Sequence, residues 1–124
     1  MNQINYNEIG ERFAQEFYSV LQTSRASTAE FYHENARMTY EGAEVIGKPN
    51  IAQKFQSIQC NTLKVAITNV DTQPVDSALL IHVNGQLQSD NDRPLPFSEV
   101  FLLTPVNSCL LVSNSMFRLS LHHF

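Results

Sequence analysis

The stretch Phe97-Ser98-Glu99-Val100-Phe101-Leu102-Leu103-Thr104 decides the fold. In an extended chain successive side chains point to opposite sides. Phe97, Glu99, Phe101 and Leu103 therefore share one face, and Ser98, Val100, Leu102 and Thr104 the other. The same period of two runs upstream. Leu63, Val65 and Ile67 alternate with Lys64, Ala66 and Thr68, and Leu79, Ile81, Val83, Gly85 and Leu87 alternate with Leu80, His82, Asn84 and Gln86. Turn formers at Gln73-Pro74, at residues 90–94 and at residues 104–107 divide these runs into strands. Residues 109–112 and 116–121 supply the last two.

Ahead of this region the period is that of a helix. Across residues 4–22, Ile9, Phe13, Phe17 and Val20-Leu21 recur at helical spacing, with Glu8, Glu11, Arg12, Gln15 and Ser19 largely opposite. Ser27 or Thr28 is placed to cap a short second helix carrying Phe31 and Tyr32. Met38-Thr39-Tyr40 and Val45-Ile46 read as short strands around a Glu41-Gly42 turn. Gly47-Lys48-Pro49-Asn50 opens a third helix with Ile51, Phe55 and Ile58 on its apolar side. Helices first and hairpin-linked strands after predict an α+β domain spanning residues 1–124, with about three helices on one face of an antiparallel sheet.

Strand parity then exposes a problem. Leu80, Val100, Leu102 and Met116 fall on the face away from the helices, and His82 shares it. One set of helices covers one face, so the half-apolar second face calls for a partner, most simply another copy of the chain.

Composition narrows the function. The 124 residues are 43% hydrophobic and only 16% charged, which excludes disordered and coiled-coil classes. Twelve acids against eight bases give a net charge of −4, the wrong sign for non-specific nucleic-acid binding. Cys60 and Cys109 form no Cys-x-x-Cys pair, and the four histidines lack paired ligand spacing, so neither a disulfide framework nor a zinc site is expected. The first residues lack the basic and apolar regions of a signal peptide. No apolar run approaches the ~20 residues of a membrane helix. The expectation is a soluble intracellular protein with free thiols.

No Gly-rich phosphate loop, Ser elbow or metal box is present. Glu99 shares a strand face with Phe97 and Phe101, which makes it the best-placed carboxylate for an apolar cavity and for acid–base chemistry of the ketosteroid isomerase kind. Asp90-Asn91-Asp92 and the pair Glu41 and Glu44 sit at turns, where such residues bond local backbone but also form an acidic rim for a basic partner. Tyr40 precedes Glu41, a ring beside a carboxylate, as in a protein-binding pocket.

Several strings, in order along nearly the whole chain, resemble the nuclear transport factor 2 family: Tyr40-Glu41-Gly42, Gly47-Lys48, Gln73-Pro74, Gly85-Gln86-Leu87, Phe101-Leu102-Leu103 and residues 116–122. The resemblance implies a cone-shaped sheet with an apolar cavity, dimerised through the sheet, and a carrier that imports the GDP form of the GTPase Ran into the nucleus. It assigns Glu41, Asp90 and Asp92 to contacts with basic residues of Ran, and Tyr40 and Phe117 to the cavity mouth that receives an aromatic side chain. Met116, and with it His82 and Val100, falls to the dimer interface. Tyr6 stands where the family often has Trp, at the site for Phe-x-Phe-Gly repeats of nuclear pore proteins. The family implies no cofactor, no nucleic-acid or membrane partner, and residence in cytoplasm and nucleus, concentrated at the nuclear pore. Two alternatives stay open: an isomerase or dehydratase built on the cone, and a scaffold subunit of an mRNA-export heterodimer.

Overall fold

A computed structural model describes residues 5–121. Helix α1 (Tyr6–Thr23) is capped by Asn5, whose side chain accepts the Glu8 N–H at 3.1 Å. Its buried side carries Gly10, Ala14, Phe17 and Tyr18, flanked by half-buried Ile9, Phe13 and Leu21. The expected start at Ile4 lies outside the described residues. The second expected helix is a seven-residue 3₁₀ helix, Arg25–Phe31, too short for a packed α-helical stripe. Tyr32 is not on it but opens strand β1 (Tyr32–Tyr40), far longer than the three residues expected. After β2 (Ala43–Ile46), α2 (Lys48–Gln56) carries Pro49 in its first turn and buries Ile51 and Phe55.

Four long strands follow: β3 (Leu63–Val75), β4 (Ala78–Ser89), β5 (Leu95–Val106) and β6 (Cys109–Leu119). The sheet order is β2-β1-β6-β5-β4-β3. It is mixed rather than antiparallel throughout, because β6 returns from three hairpins to lie parallel to β1. Two expected turns are strand instead. Pro74 lies within β3, an edge strand whose outer side needs no donor, and the chain reverses at Asp76-Ser77. Pro105 lies beyond Leu103, where β4 pairing ends, and the turn is Asn107-Ser108 with both φ positive. The two last expected strands are one, β6, interrupted by a bulge opposite Leu102/Leu103.

The sheet curls around α1. A bulge between Ile67 and Asn69 bends β3, and across from it Gly85 keeps β4 thin. A Cβ on Gly85 would run into the Ala66 carbonyl oxygen and lie 3.1 Å from the Phe97 ring. The concave face presents Leu79, Ile81, Val83, Phe97, Phe101, Leu103 and Phe117, all buried. Phe101 sits at the centre, its ring 4.8 Å from that of Phe17 and 4.9 Å from that of Phe13, both edge-on. Among the described residues no helix is long and apolar enough to cross a membrane.

Replacing Gly85 by Ala should lower stability by about 1–3 kcal/mol, since backbone rather than a movable side chain blocks the methyl. Urea denaturation of the two proteins checks this.

Candidate functional site

The concave face is not filled at one end. Between α1, α2 and the sheet lies a cavity of about 70 Å³, several times what one water needs and far below a drug-sized pocket. Its walls include Phe17, Leu21, Met38, Phe55, Leu63, Phe97 and Phe117, with polar atoms only from Tyr18, Tyr40, Ser89 and Glu99. Three rings step through it. Tyr40 stacks on Phe117 at 5.0 Å and 17°, and Phe117 on Phe97 at 5.5 Å and 30°. The Lys54 ammonium lies 4.7 Å from the Tyr40 ring centre.

Glu99 faces this space from β5, paired with Val83 and Phe117 on either side. Only 6% of it is exposed. The Tyr18 hydroxyl donates to its Oε1 at 2.8 Å. Burial disfavours the charged carboxylate and pushes its pKa from 4.5 up to about 8, against a smaller opposing pull from the Tyr18 hydrogen bond. Burial, then the charge of Glu99 and the bond to it, raise Tyr18 well above the usual tyrosine value. Tyr32 is raised too, by burial first, and its hydroxyl pairs with Ser115 at 3.0 Å. Sequence reasoning found Glu99 but missed Tyr18, which completes the row Gly10, Ala14, Tyr18 at a spacing of four on the buried side of α1.

The acidic residues lie where the chain leaves the cavity wall. Glu41 follows Tyr40 in the β1–β2 turn, with φ 50°. Its backbone N–H donates to the Phe117 carbonyl at 3.0 Å, and its Oε2 accepts the Leu119 N–H at 2.8 Å. Those bonds hold a non-glycine residue in the left-handed region, where it is strained. Asp90 follows Ser89 and uses Oδ1 to accept from the Asn61 and Thr62 backbone N–H groups, each at 2.9 Å. The Thr62 backbone bond foremost holds its pKa below the usual value. Arg25 grips the same loop through the Ile58 and Cys60 carbonyls. Asp92 is exposed, and its side chain takes no hydrogen bond or ion pair among the described residues. Tyr6 sits in the first turn of α1, half-buried against the core.

The opposite, convex face carries the second candidate surface. Register puts His82, Val100 and Met116 side by side across three strands, with Leu80 and Leu102 in the next row. Met116 is 55% exposed and Leu80 36%. A shallow hollow runs between them, rimmed by the Arg37–Glu44 ion pair at 2.9 Å. Among the described residues no cluster of His, Cys, Asp or Glu is arranged to hold a metal ion.

A curled sheet closing on a long helix around an apolar cavity is the cone architecture that the resemblance implies. Residues 9–119 match the family model "Nuclear transport factor 2 (NTF2) domain". The chain belongs to that family. It is 37% identical, over 96% of each chain, to the Caenorhabditis elegans protein named "Probable nuclear transport factor 2". It is 30% identical to nuclear transport factor 2 of Davidiella tassiana, over 93% of this chain and 94% of the other. The solved structure of nuclear transport factor 2 from Cryptosporidium parvum superposes with a TM-score of 0.89 at 32% identity, covering 97% of this chain and 99% of that one. These names support a role in nuclear transport.

The buried carboxyl has a consequence for stability. Its folded pKa of about 8 lies above the ordinary 4.5, so between those values the folded state binds more protons than the unfolded. The contribution of Glu99 to stability should be fullest below pH 4.5 and fall by a few kcal/mol as pH rises to about 8, at about 1.4 kcal/mol per unit. Glu99→Gln should flatten that part of the profile, as measured by denaturation at pH 5, 7 and 9.

Proposed function

We propose that this protein is a homodimeric carrier for the GDP form of Ran, moving through nuclear pores by weak contacts with Phe-x-Phe-Gly repeats and residing in cytoplasm and nucleus. The observation that carries the reading is the cavity mouth. An apolar, ring-lined opening has acidic turns on two sides, Glu41 next to Tyr40 and Asp90 to Asp92 next to Ser89. Such a site suits a partner that offers one aromatic side chain flanked by Lys or Arg, the ring filling the cavity and the charges setting register. Ran in its GDP state is the partner that membership of the family suggests. GTP reshapes the switch segments of a GTPase, so a pocket fitted to one switch conformation discriminates between nucleotide states. Tyr6, at the start of α1, is the candidate contact for the pore repeats. The row His82, Val100 and Met116, with Leu80 and Leu102 beside it, supports dimerisation through the convex face.

One observation favours a second reading. A buried carboxyl of raised pKa beside a polar donor is what an acid–base enzyme on this scaffold requires, and Glu99 with Tyr18 meets that requirement. The names of the relatives weigh against it.

Three measurements test the carrier. Ran-GDP should bind and Ran-GTP should not; equal binding of both, or of neither, overturns the proposal. Asp92→Asn should weaken Ran-GDP binding roughly tenfold without changing the circular dichroism spectrum. It is a cleaner probe than Glu41, whose carboxylate also holds the Leu119 N–H. Light scattering should give a dimer of twice 14.1 kDa, which Met116→Glu converts to monomer.

A further inference from the structure

We infer that the dimer proposed above, on which this reading rests, is gated by His82: protonation of its imidazole opposes pairing, so the two copies come apart in mild acid. His82 lies in a row that crosses the convex face in register. The row runs from Asp71 on β3 through His82, Val100 and Met116 to Thr39 on β1 and Glu44 on β2. Its middle is apolar and its two ends are acidic. The row on one side adds Leu80 and Leu102, with Arg37 farther along, and the row on the other side carries Arg118. An apolar centre ringed by charges of both signs is complementary to itself, which makes a second copy its occupant.

Histidine is the side chain whose charge ordinarily changes between pH 5 and 8. His82 is half-buried in the single chain, and in a symmetric pair it meets this same patch of the other copy. Few charged groups share its face. Asp71 lies opposite it on β3, exposed on the edge strand. Glu44 is already held by Arg37 at 2.9 Å. Arg118 adds a like charge from β6. The convex side of β5 offers Ser98, Val100 and Leu102, and that of β4 itself Leu80 and Asn84, none of which ionises. In the free chain an imidazolium keeps its water and the nearby carboxylate. Docking strips that water, and carrying Asp71 along as an ion pair desolvates a second charge. The neutral ring docks without this cost. Each dimer holds two such groups, so the effect is steeper than one proton gives.

Sedimentation equilibrium of the full chain at pH 7.5 and 5.5, at one ionic strength and with circular dichroism followed alongside, tests this. Glu99 favours the folded chain as pH falls, so loss of the dimer and loss of the fold are separable. The dimer dissociation constant should rise about tenfold or more at pH 5.5, with the spectrum unchanged. His82→Met and His82→Gln, neutral at both pH values, should dimerise with nearly the same constant at each. A constant that stays level or falls at pH 5.5, or a rise that persists in both variants, overturns the inference and leaves the dimer standing. A wild type that is monomeric at pH 7.5 overturns the dimer reading and the gating with it. Ran binding does not enter the experiment, so its outcome and that of the Ran-GDP test are independent.

Discussion

A six-stranded sheet has two faces, and the described residues carry helices for only one of them. Everything distinctive in the molecule follows from that shortage. Curling lets α1, the 3₁₀ helix and α2 cover the concave face, and the rings of Phe13, Phe17 and Phe101 lock the helix against the strands. The part of the concave face that the helices leave unfilled is the cavity. The convex face is left with Leu80, Val100, Leu102 and Met116 in contact with water. Cavity and bare face are two results of one packing constraint.

Polar groups in this frame serve two ends at once. Glu41 and Asp90 each commit one carboxylate oxygen to backbone N–H groups of another segment, which fixes the turns that border the cavity. A carboxylate already anchored loses little freedom when a partner arrives, so such a rim is preorganised. Glu99 is the opposite case. It lies where a charge is poorly tolerated, and its proton is the means by which an acidic residue stays in an apolar wall.

Much of this was legible in strand periodicity. Parity alone divided β4 and β5 into their two faces, put Glu99 among buried rings and set Val100 with His82 on the outside. What stayed illegible depends on partners distant in sequence. The Tyr18–Glu99 bond spans 81 positions, and the parallel pairing of β1 with β6 joins the first long strand of the chain to the last. Nothing local marks either. Pro74 and Pro105 read as turn signals because proline disrupts a flanked strand, but each lies where one side has no neighbour. The short helix expected to carry Phe31 and Tyr32 is a 3₁₀ helix that ends at Phe31. In fact Tyr32 is drawn into the sheet, where its hydroxyl meets Ser115. The turn aspartates carried both readings from the outset, and Asp90 does bond the neighbouring backbone.

The outer margins of the sheet have a bearing on solubility. An exposed strand with free backbone groups is a template for sideways growth into aggregates. Here one margin, β2, has only four residues. The other, β3, is long but interrupted: a bulge at its middle, Pro74 near its end, and Lys64 and Asp71 along its length. Copies of the chain are thereby discouraged from joining edge to edge into an open-ended ribbon. Association through a face, by contrast, is self-limiting, because a pair of sheets that cover one another leaves no further apolar surface to recruit a third.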